Sequence, residues 1–320
     1  MKFKSFFHPF QSFDRWIYRK YHQNGTWNKL IENCPKRALQ LEWRRAFHTK
    51  LNLNNPKTLN EKIQWLEVYS DTSLWTKYTD KYEVRKYVEK CGYKEYLLDL
   101  YGIWEDTTSI DYDSLPNSFA IKCTHDSGST IIIRDKAKDL DKKYVNQLLN
   151  EHLQKPYGYD TCEPHYLKIP RRIIAEKLLP QSNSKNTNIN FSSTIDYKIW
   201  CLEGTSIIAF VCYNRTIGGD VTYDLYQINP WRPKREYLSP TYQNQQFIDI
   251  PRPKNLEKML EIAERLAQGF HQVRVDFYNI DGQIYFGEMT FTSACGRMEF
   301  YSDDFQLLLG QKIHLPPKQR

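Results

Sequence analysis

Apolar and polar positions alternate along this chain with two different periods, and the change of period divides it. From Asn55 the spacing is helical: Asn55-Pro56-Lys57-Thr58-Leu59-Asn60-Glu61-Lys62-Ile63 places Thr58 as an N-cap with Glu61 three residues later, a capping box. Leu59, Ile63 and Leu66 then mark one face. A second helix is predicted over residues 73–90, carrying Asp80, Lys81 and Arg85. After Leu115-Pro116 the pattern turns extended. Residues 118–124 and 130–134 read as short strands joined by His125-Asp126-Ser127-Gly128-Ser129. A helix is predicted near 140–153 and a strand over 172–178. Residues 195–202 and 206–213 form a hairpin over Glu203-Gly204, and residues 255–269 an amphipathic helix. A last hairpin spans 273–291 and turns at Asp281-Gly282. Residues 181–190 read as a polar loop. Helices come first and sheets with covering helices follow, which predicts an α+β fold of more than one lobe.

Composition narrows the class. The chain has 320 residues, 40% of them hydrophobic and 15% aromatic, enough for a full core and against disorder. Seven cysteines are scattered with no C-x-x-C pair, so neither a disulfide framework nor a structural zinc site is expected. No apolar run approaches the roughly 20 residues of a membrane span. The N-terminus lacks the apolar core of a signal peptide, and the expectation is a cytoplasmic protein. Charge is uneven: residues 1–50 hold eleven Lys/Arg against three Asp/Glu, a net of +8, whereas the remainder holds 34 against 35. A neutral body with one basic end argues for a local contact and against nucleic acid as a partner. Phe3, Phe6, Phe7, Phe10, Phe13, Trp16 and Ile17 recur at helical spacing among basic residues, with Pro9 interrupting. Two readings stand: a membrane-surface contact through residues 1–20, peripheral at the inner face of the cell membrane, or a terminal helix packed on its own domain.

Three stretches carry chemistry. In Phe119-Ala120-Ile121-Lys122-Cys123-Thr124-His125-Asp126-Ser127-Gly128-Ser129-Thr130, small loop residues let backbone N–H groups close over phosphate oxygens while Lys122 supplies charge. The lysine precedes the loop, so this is not a Walker A motif. In the last hairpin, Arg274 and Asp276 share a face. A three-residue loop, Asp281-Gly282-Gln283, would set Asp276 across from Glu288. Facing like charges are unfavourable in a sheet unless a cation lies between them, and Mg²⁺ takes carboxylate together with phosphate oxygens. The third stretch is Arg172-Ile173-Ile174-Ala175-Glu176-Lys177-Leu178, a strand that could present a carboxylate and backbone groups to an adenine. Asp196 and Lys198 add an acid and a base on one face of the next strand. Cys123 and His125, two residues apart on one segment, are poorly disposed as a catalytic pair.

In this order the phrases resemble the ATP-grasp superfamily, and more narrowly its TupA-like branch of teichuronopeptide biosynthesis, over about residues 55–316. The resemblance is carried by Asn55 to Trp65, Asp80 to Val88, Phe119 to Ser129, Asp196 to Gly204, and Val273 to Phe291 with Gly287-Glu288-Met289-Thr290. It implies an ATP-grasp fold, two α+β lobes enclosing ATP, behind a helical basic N-terminal segment. The implied division is a basic aromatic segment at 1–54, a helical lobe at 55–117, a small lobe with the phosphate loop at 118–180, and a C-terminal lobe with the metal site at 181–320. The implied activity is that of a carboxylate–amine ligase using ATP and Mg²⁺ through an acyl phosphate. Its partners would be a uronate-containing glycan or precursor, as in capsule, O-antigen or teichuronopeptide synthesis, and an amine donor.

Carried over by residue, the resemblance implies that Lys81 and Lys122 bind ATP phosphates under a lid formed by His125, Asp126, Ser127, Gly128 and Ser129. Glu176, Lys177 and Leu178 would meet adenine and Asp196 the ribose. Lys198 and Arg274 would stabilise the phosphoryl group in transfer, with Asp276, Glu288 and Thr290 at the metal. Thr290 stands where many ATP-grasp enzymes have Asn, and a hydroxyl is the poorer neutral ligand. Ser293-Ala294-Cys295-Gly296-Arg297 also departs from the usual small-residue run, which leaves the acceptor pocket unassigned. Two rival readings stay open. Asp111-Tyr112-Asp113 matches the D-x-D metal motif of a nucleotide-sugar glycosyltransferase, and a non-catalytic scaffold could keep the same shape.

Overall fold

The computed structural model describes residues 17, 19–22, 25–180, 194–215 and 221–319. The aromatic stripe of residues 3–16 and the polar loop at 181–190 lie outside the described residues. Helices α1 (Trp27–Asn33) and α2 (Pro35–Phe47) lead the fold, with Pro35 at the first position of α2, where a missing N–H costs nothing. Helix α3 (Leu59–Tyr69) starts on the expected capping box: Thr58 accepts from the Glu61 N–H at 3.2 Å and Glu61 accepts from the Thr58 N–H at 3.0 Å. Sequence patterning missed α1 and α2, although Ala38, Leu39, Leu41 and Trp43 form a buried helical face.

The single helix expected over 73–90 is two, α4 (Ser73–Thr79) and α5 (Glu83–Lys90). Asp80 between them is extended and 1% exposed. Its carboxylate accepts from the Tyr82 N–H at 2.8 Å and from Arg172 at 2.5 Å. A side chain that captures the following N–H groups competes with helix continuation, and this one turns the chain. The break also points Lys81 away from the helix axis: its N–H donates to the Thr124 carbonyl at 3.2 Å and its ammonium to the Asp126 carbonyl.

Two antiparallel sheets follow. The first has the order β1-β4-β2-β3, from β1 (Leu100–Trp104), β2 (Phe119–Cys123), β3 (Ile131–Ile133) and β4 (Ile173–Glu176). Phe119, Ile121, Cys123, Ile173 and Ala175 turn to a core closed by Val145 and Leu149 of a helix, Lys142–Gln154, so Ala120, Lys122 and Glu176 face the other way. The second sheet has the order β10-β9-β5-β6-β7-β8, from β5 (Asp196–Leu202), β6 (Thr205–Tyr213), β7 (Thr222–Gln227), β8 (Arg232–Pro233), β9 (Gln272–Ile280) and β10 (Gln283–Thr290). Its odd-numbered β5 and β9 residues, Ile199, Val273, Val275 and Phe277, bury against Met259, Ile262 and Leu266 of the helix Leu256–Leu266. On the opposite face Trp200 and Phe210 join Leu59 and Ile63 of α3 and Phe305 of the helix Asp303–Gln311 in a second core. Gly310 allows that helix to touch the start of α3, since a Cβ there would lie 2.0 Å from the Lys57 carbonyl oxygen.

The β9–β10 hairpin corrects one expectation. Ile280 pairs with Gln283, so the turn is the two residues Asp281-Gly282, with φ of 55° and 96°. Left-handed values at both central positions are those of a type I′ turn, which matches strand twist. Such a turn alone would put Asp276 and Glu288 on opposite faces. A β-bulge between Phe286 and Glu288 inserts Gly287 as the extra residue and restores the pairing Glu288↔Asp276 and Thr290↔Arg274.

Candidate active site

The two sheets face each other across a cleft of about 1080 Å³. The four-stranded sheet contributes Lys122 and Glu176, with Lys81 and Arg85 beside them and Ser127, Gly128 and Thr130 from the loop. The six-stranded sheet contributes Asp196, Lys198, Asp276 and Glu288. Residues far apart in the chain, expected to act together, therefore line one space. Lys177, Leu178 and Leu179 form part of the same wall. The Lys177 N–H is already committed, donating to the Asp99 carbonyl at 2.8 Å.

On the six-stranded sheet the charges form a closed network. Arg274 donates Nε to Asp276 Oδ1 and Nη2 to Asp276 Oδ2, both at 2.8 Å, and Lys198 bridges Asp276 and Asp196 at 2.5 Å each. Arg274 also reaches Thr290 Oγ1 at 3.1 Å and Glu288 at 3.4 Å, and Thr290 donates to Glu288 at 2.8 Å. Burial works against each of these charges. It is outweighed at Lys198 by Asp196 and Asp276, which hold the ammonium above the ordinary lysine range. At Asp276 burial is overcome by Arg274 and Lys198, which keep the carboxyl below the usual carboxylate range. Asp196 is raised, because burial there exceeds the help from Lys198.

The opposite wall is looser. Lys122 donates to Glu176, and Arg85 stands 3.8 Å from the other carboxylate oxygen. Burial lowers the Lys81 ammonium, with Glu288 and Asp126 opposing. Within the loop, His125, Asp126 and Ser129 are buried beneath Ser127 and Gly128. Asp126 accepts from Ser129 Oγ at 2.6 Å and pairs with His152 at 2.5 Å, so these residues hold the loop from below. Sequence reasoning missed His152, which no local motif connects to residue 126. It also missed Arg134, Arg215, Arg252, Lys254 and Tyr278 along the cleft.

A hard divalent cation would meet acids on this wall. Half-exposed Glu288 presents its carboxylate to the cleft, Asp276 lies directly across from it, and buried Asp196 Oδ1 has no hydrogen-bond partner among the described residues. Among the described residues no group of three or more His, Cys, Asp or Glu could hold a metal by itself. Both Asp276 oxygens already accept from Arg274 and Lys198, so Mg²⁺ would share that carboxylate with the two cations and take its remaining ligands from Glu288, phosphates and water. The D-x-D pair lies elsewhere: Asp111 accepts from the Asp113 N–H at 3.1 Å in a turn, and Asp113 pairs with Lys142 at 2.9 Å.

The cleft carries lysines and a glycine-containing loop on one wall and acids on the other, and a profile of the family described as TupA-like ATPgrasp matches residues 61–314. The chain belongs to the TupA-like ATP-grasp family. The family is one of ATP-grasp proteins, a class that works with ATP and Mg²⁺. No curated protein matches the chain. Among solved structures it is similar to D-alanine–D-alanine ligase from Helicobacter pylori at 14% identity, covering 81% of this chain and 70% of that one with a TM-score of 0.41. It is similar to the ATP-grasp ligase PsnB complexed with minimal precursor at 11% identity, covering 82% and 67%, with a TM-score of 0.39. For L-amino acid ligase from Bacillus licheniformis the values are 13% identity, 84%, 57% and 0.44. No helix among the described residues is long and apolar enough to cross a membrane.

Proposed function

We propose that the cleft binds Mg·ATP and a uronic acid of a bacterial surface polysaccharide or its precursor, and that the enzyme amidates the uronate with an amino acid or amine. The observation that supports this reading is the approach of Lys81, Lys122 and the 127–130 loop from one sheet to Asp276 and Glu288 on the other. Residues 118–180 and 181–320 then act as the two jaws, with β1 added to the first from the preceding segment. Lys122 and Lys81 take the ATP phosphates under Ser127 and Gly128. Glu176 and the backbone at Lys177 and Leu178 meet the adenine, and Asp196 meets the ribose. Asp276 and Glu288 hold the metal, with Thr290 at its edge steadying Glu288. When bound, Mg²⁺ neutralises charge on the transferring phosphoryl group. Lys198 lines the cleft and meets that group, and Arg274, not among the lining residues, holds Asp276 in place and acts through it, with no reorganisation needed. The substrate carboxylate attacks the γ-phosphorus and ADP leaves. The amine then attacks the acyl carbon, forming the C–N bond as the C–O bond to phosphate breaks.

The basic cleft lining, which includes Arg134, Lys177, Arg215, Arg252 and Lys254, suits a polyanionic acceptor beside the nucleotide. ADP release measured against a panel of uronates and amines tests the substrate class. Thermal shift with Mg·ATP against a UDP-sugar tests the nucleotide, and stabilisation by the UDP-sugar alone would reject the ligase cleft. The net charge of +8 over residues 1–50 supports a contact with anionic lipid through residues 1–20. Deleting 1–20 should lower co-sedimentation with anionic vesicles and leave turnover on a soluble acceptor intact. Unfolding of the truncated protein would assign the stripe to the core.

A further inference from the structure

Behind the metal carboxylates lies a second cluster of ionisable groups that the nucleotide reading does not use. The segment after β10 touches both. Ser293 Oγ accepts from Arg274 Nη1 at 2.5 Å on one side, while Thr292 Oγ1 donates to Glu163 on the other. The partner of Glu163, Thr292, is thus the chain neighbour of the residue that Arg274 contacts. Around it are Glu67, whose Oε1 lies 3.2 Å from His165 Nδ1, and Arg297, which donates to the Thr161 carbonyl at 2.9 Å. Tyr166 packs on His165 with ring centroids 4.6 Å apart and on Tyr157 at 4.9 Å. Both tyrosines are part-exposed, and burial raises both, with the charges of Glu163 and Glu288 adding to it. The 293–296 loop is clamped from α3 by Gln64, which donates to the Cys295 carbonyl at 3.1 Å, with Ala294 and Cys295 left-handed.

This cluster is short of positive charge and of hydrogen bonds. Glu42, Glu67 and Glu163 are buried; half-exposed Arg45 pairs with Glu42 at 2.9 Å, and Arg297, 3.8 Å from Glu42, is the one buried cation of the cluster among the described residues. Glu67 Oε2, His165 Nε2 and Arg297 Nη1 have no partner among the described residues, although these residues are 5%, 2% and 7% exposed. Unpartnered buried polar atoms on this scale call for an occupant. Spare carboxylate oxygens select a cation, and the spare guanidinium N–H suits an oxygen on the same molecule.

We propose that this cluster is the amine subsite: the ammonium of an amino acid or amino alcohol enters past the part-exposed Tyr157 and Tyr166 and docks on Glu163, with Glu67 behind it and Arg297 meeting its oxygen. The assignment rests on the reading of the protein as a carboxylate–amine ligase. It gives opposite signs to the two substrate entrances, basic for ATP and the carboxylate, acidic for the amine.

Ethanolamine carries both functional groups and serves as the probe, with ethylene glycol and glycolate as neutral and anionic controls. Saturation-transfer NMR on the full chain with Mg·AMP-PNP should show ethanolamine bound and both controls excluded. Glu163→Gln should weaken ethanolamine about tenfold or more, the scale of one hydrogen bond to a charged group, with AMP-PNP affinity unchanged by calorimetry. Should Glu163→Gln lose its thermal transition, Tyr157→Phe and Tyr166→Phe keep the rings and should still weaken ethanolamine several-fold. No ethanolamine binding to the wild type, equal binding to the variants, or preference for glycolate would each overturn the subsite. A wild type that binds ethanolamine but no Mg·AMP-PNP would reject the nucleotide reading and leave the subsite standing.

Discussion

Two buried charge clusters sit back to back in this protein, and they answer burial in opposite ways. In the cleft, Arg274, Asp276 and Lys198 stay ionised because each is held by opposite charge at hydrogen-bonding distance. Behind the 291–293 segment, burial pushes the Glu67 carboxyl up to about 8, with only Arg297 opposing it, and pushes His165 down to about 4, with only Glu163 opposing that. Depth is similar in the two places, so partners and not burial decide whether charge survives. The first cluster is built to present fixed charge, and the second is built to be completed by something else.

The largest effect should come from breaking the paired cluster. Asp276→Asn removes the carboxylate shared by Arg274 and Lys198, and ADP release should fall by about 10² or more, the scale of losing one preorganised electrostatic group. Because it leaves two buried cations undercompensated, stability should also fall by about 3 kcal/mol. Glu288→Gln separates the two consequences. Its side chain is 47% exposed, so turnover should drop on a similar scale while the urea midpoint barely moves. Equal loss of stability in both variants would show that Glu288 is part of the scaffold instead.

On the looser wall the effect should be smaller. Lys122→Met takes one cation from the phosphates and should weaken ATP about tenfold, read by calorimetry. Glu176 keeps Arg85 3.8 Å away, so folding should change little. If Lys122→Met reduced turnover as far as Asp276→Asn does, the contrast between a fixed and an adaptable wall would fail.

How much of this was legible beforehand follows from where the information lies. Residues whose roles depend on local spacing were readable: the Thr58–Glu61 capping box, the Glu203-Gly204 hairpin, and the shared face of Arg274 and Asp276. The pairing of Asp276 with Glu288 was expected for a reason the structure replaces. The turn has two residues, not three, and the bulge at Gly287 supplies the missing step, which a count of residues cannot distinguish. The break at Asp80 depends on Arg172, 92 positions away, and β1, with Gly102 in its middle, gave no strand pattern. The acidic cluster was invisible because Glu67, Glu163, His165 and Arg297 share no motif and meet only through the fold.

The neutralised cluster has a measurable pH signature. A folded-state value for Glu67 above its unfolded one gives stability that is present at low pH and lost as pH rises from about 4.5 to about 8. His165 acts in the other direction, because a value lowered to about 4 takes stability away as pH falls below about 6.5. The two oppose each other below about pH 6.5, and above it Glu67 acts alone, so the wild type should lose about 2 kcal/mol between pH 6.5 and 8. Glu67→Gln should be flat over that range in urea titrations. A wild-type curve that is already flat would place a cation beside Glu67 and remove the contrast between the clusters.

The smallest effect sharpens the boundary of the paired cluster. Thr290 stands on β10, its hydroxyl donating to Glu288 at 2.8 Å and accepting from Arg274 at 3.1 Å. Both bonds point along the sheet, so the hydroxyl sets the direction of the half-exposed Glu288 and joins it to the Arg274–Asp276 pair. Thr290→Val keeps the shape and removes both bonds, leaving Arg274 with Asp276, Ser293 and the longer 3.4 Å contact to Glu288. The loss is one hydrogen bond to a charged group, partly replaced by water at Glu288, so turnover should fall about three- to tenfold. The Mg²⁺ concentration for half activity should rise by a similar factor, with ATP affinity in the absence of metal unchanged. Thr290→Ser retains the hydroxyl and should restore both values. An unchanged Mg²⁺ dependence in Thr290→Val would mean that Arg274 alone orients Glu288, and the closed network would then end at Asp276.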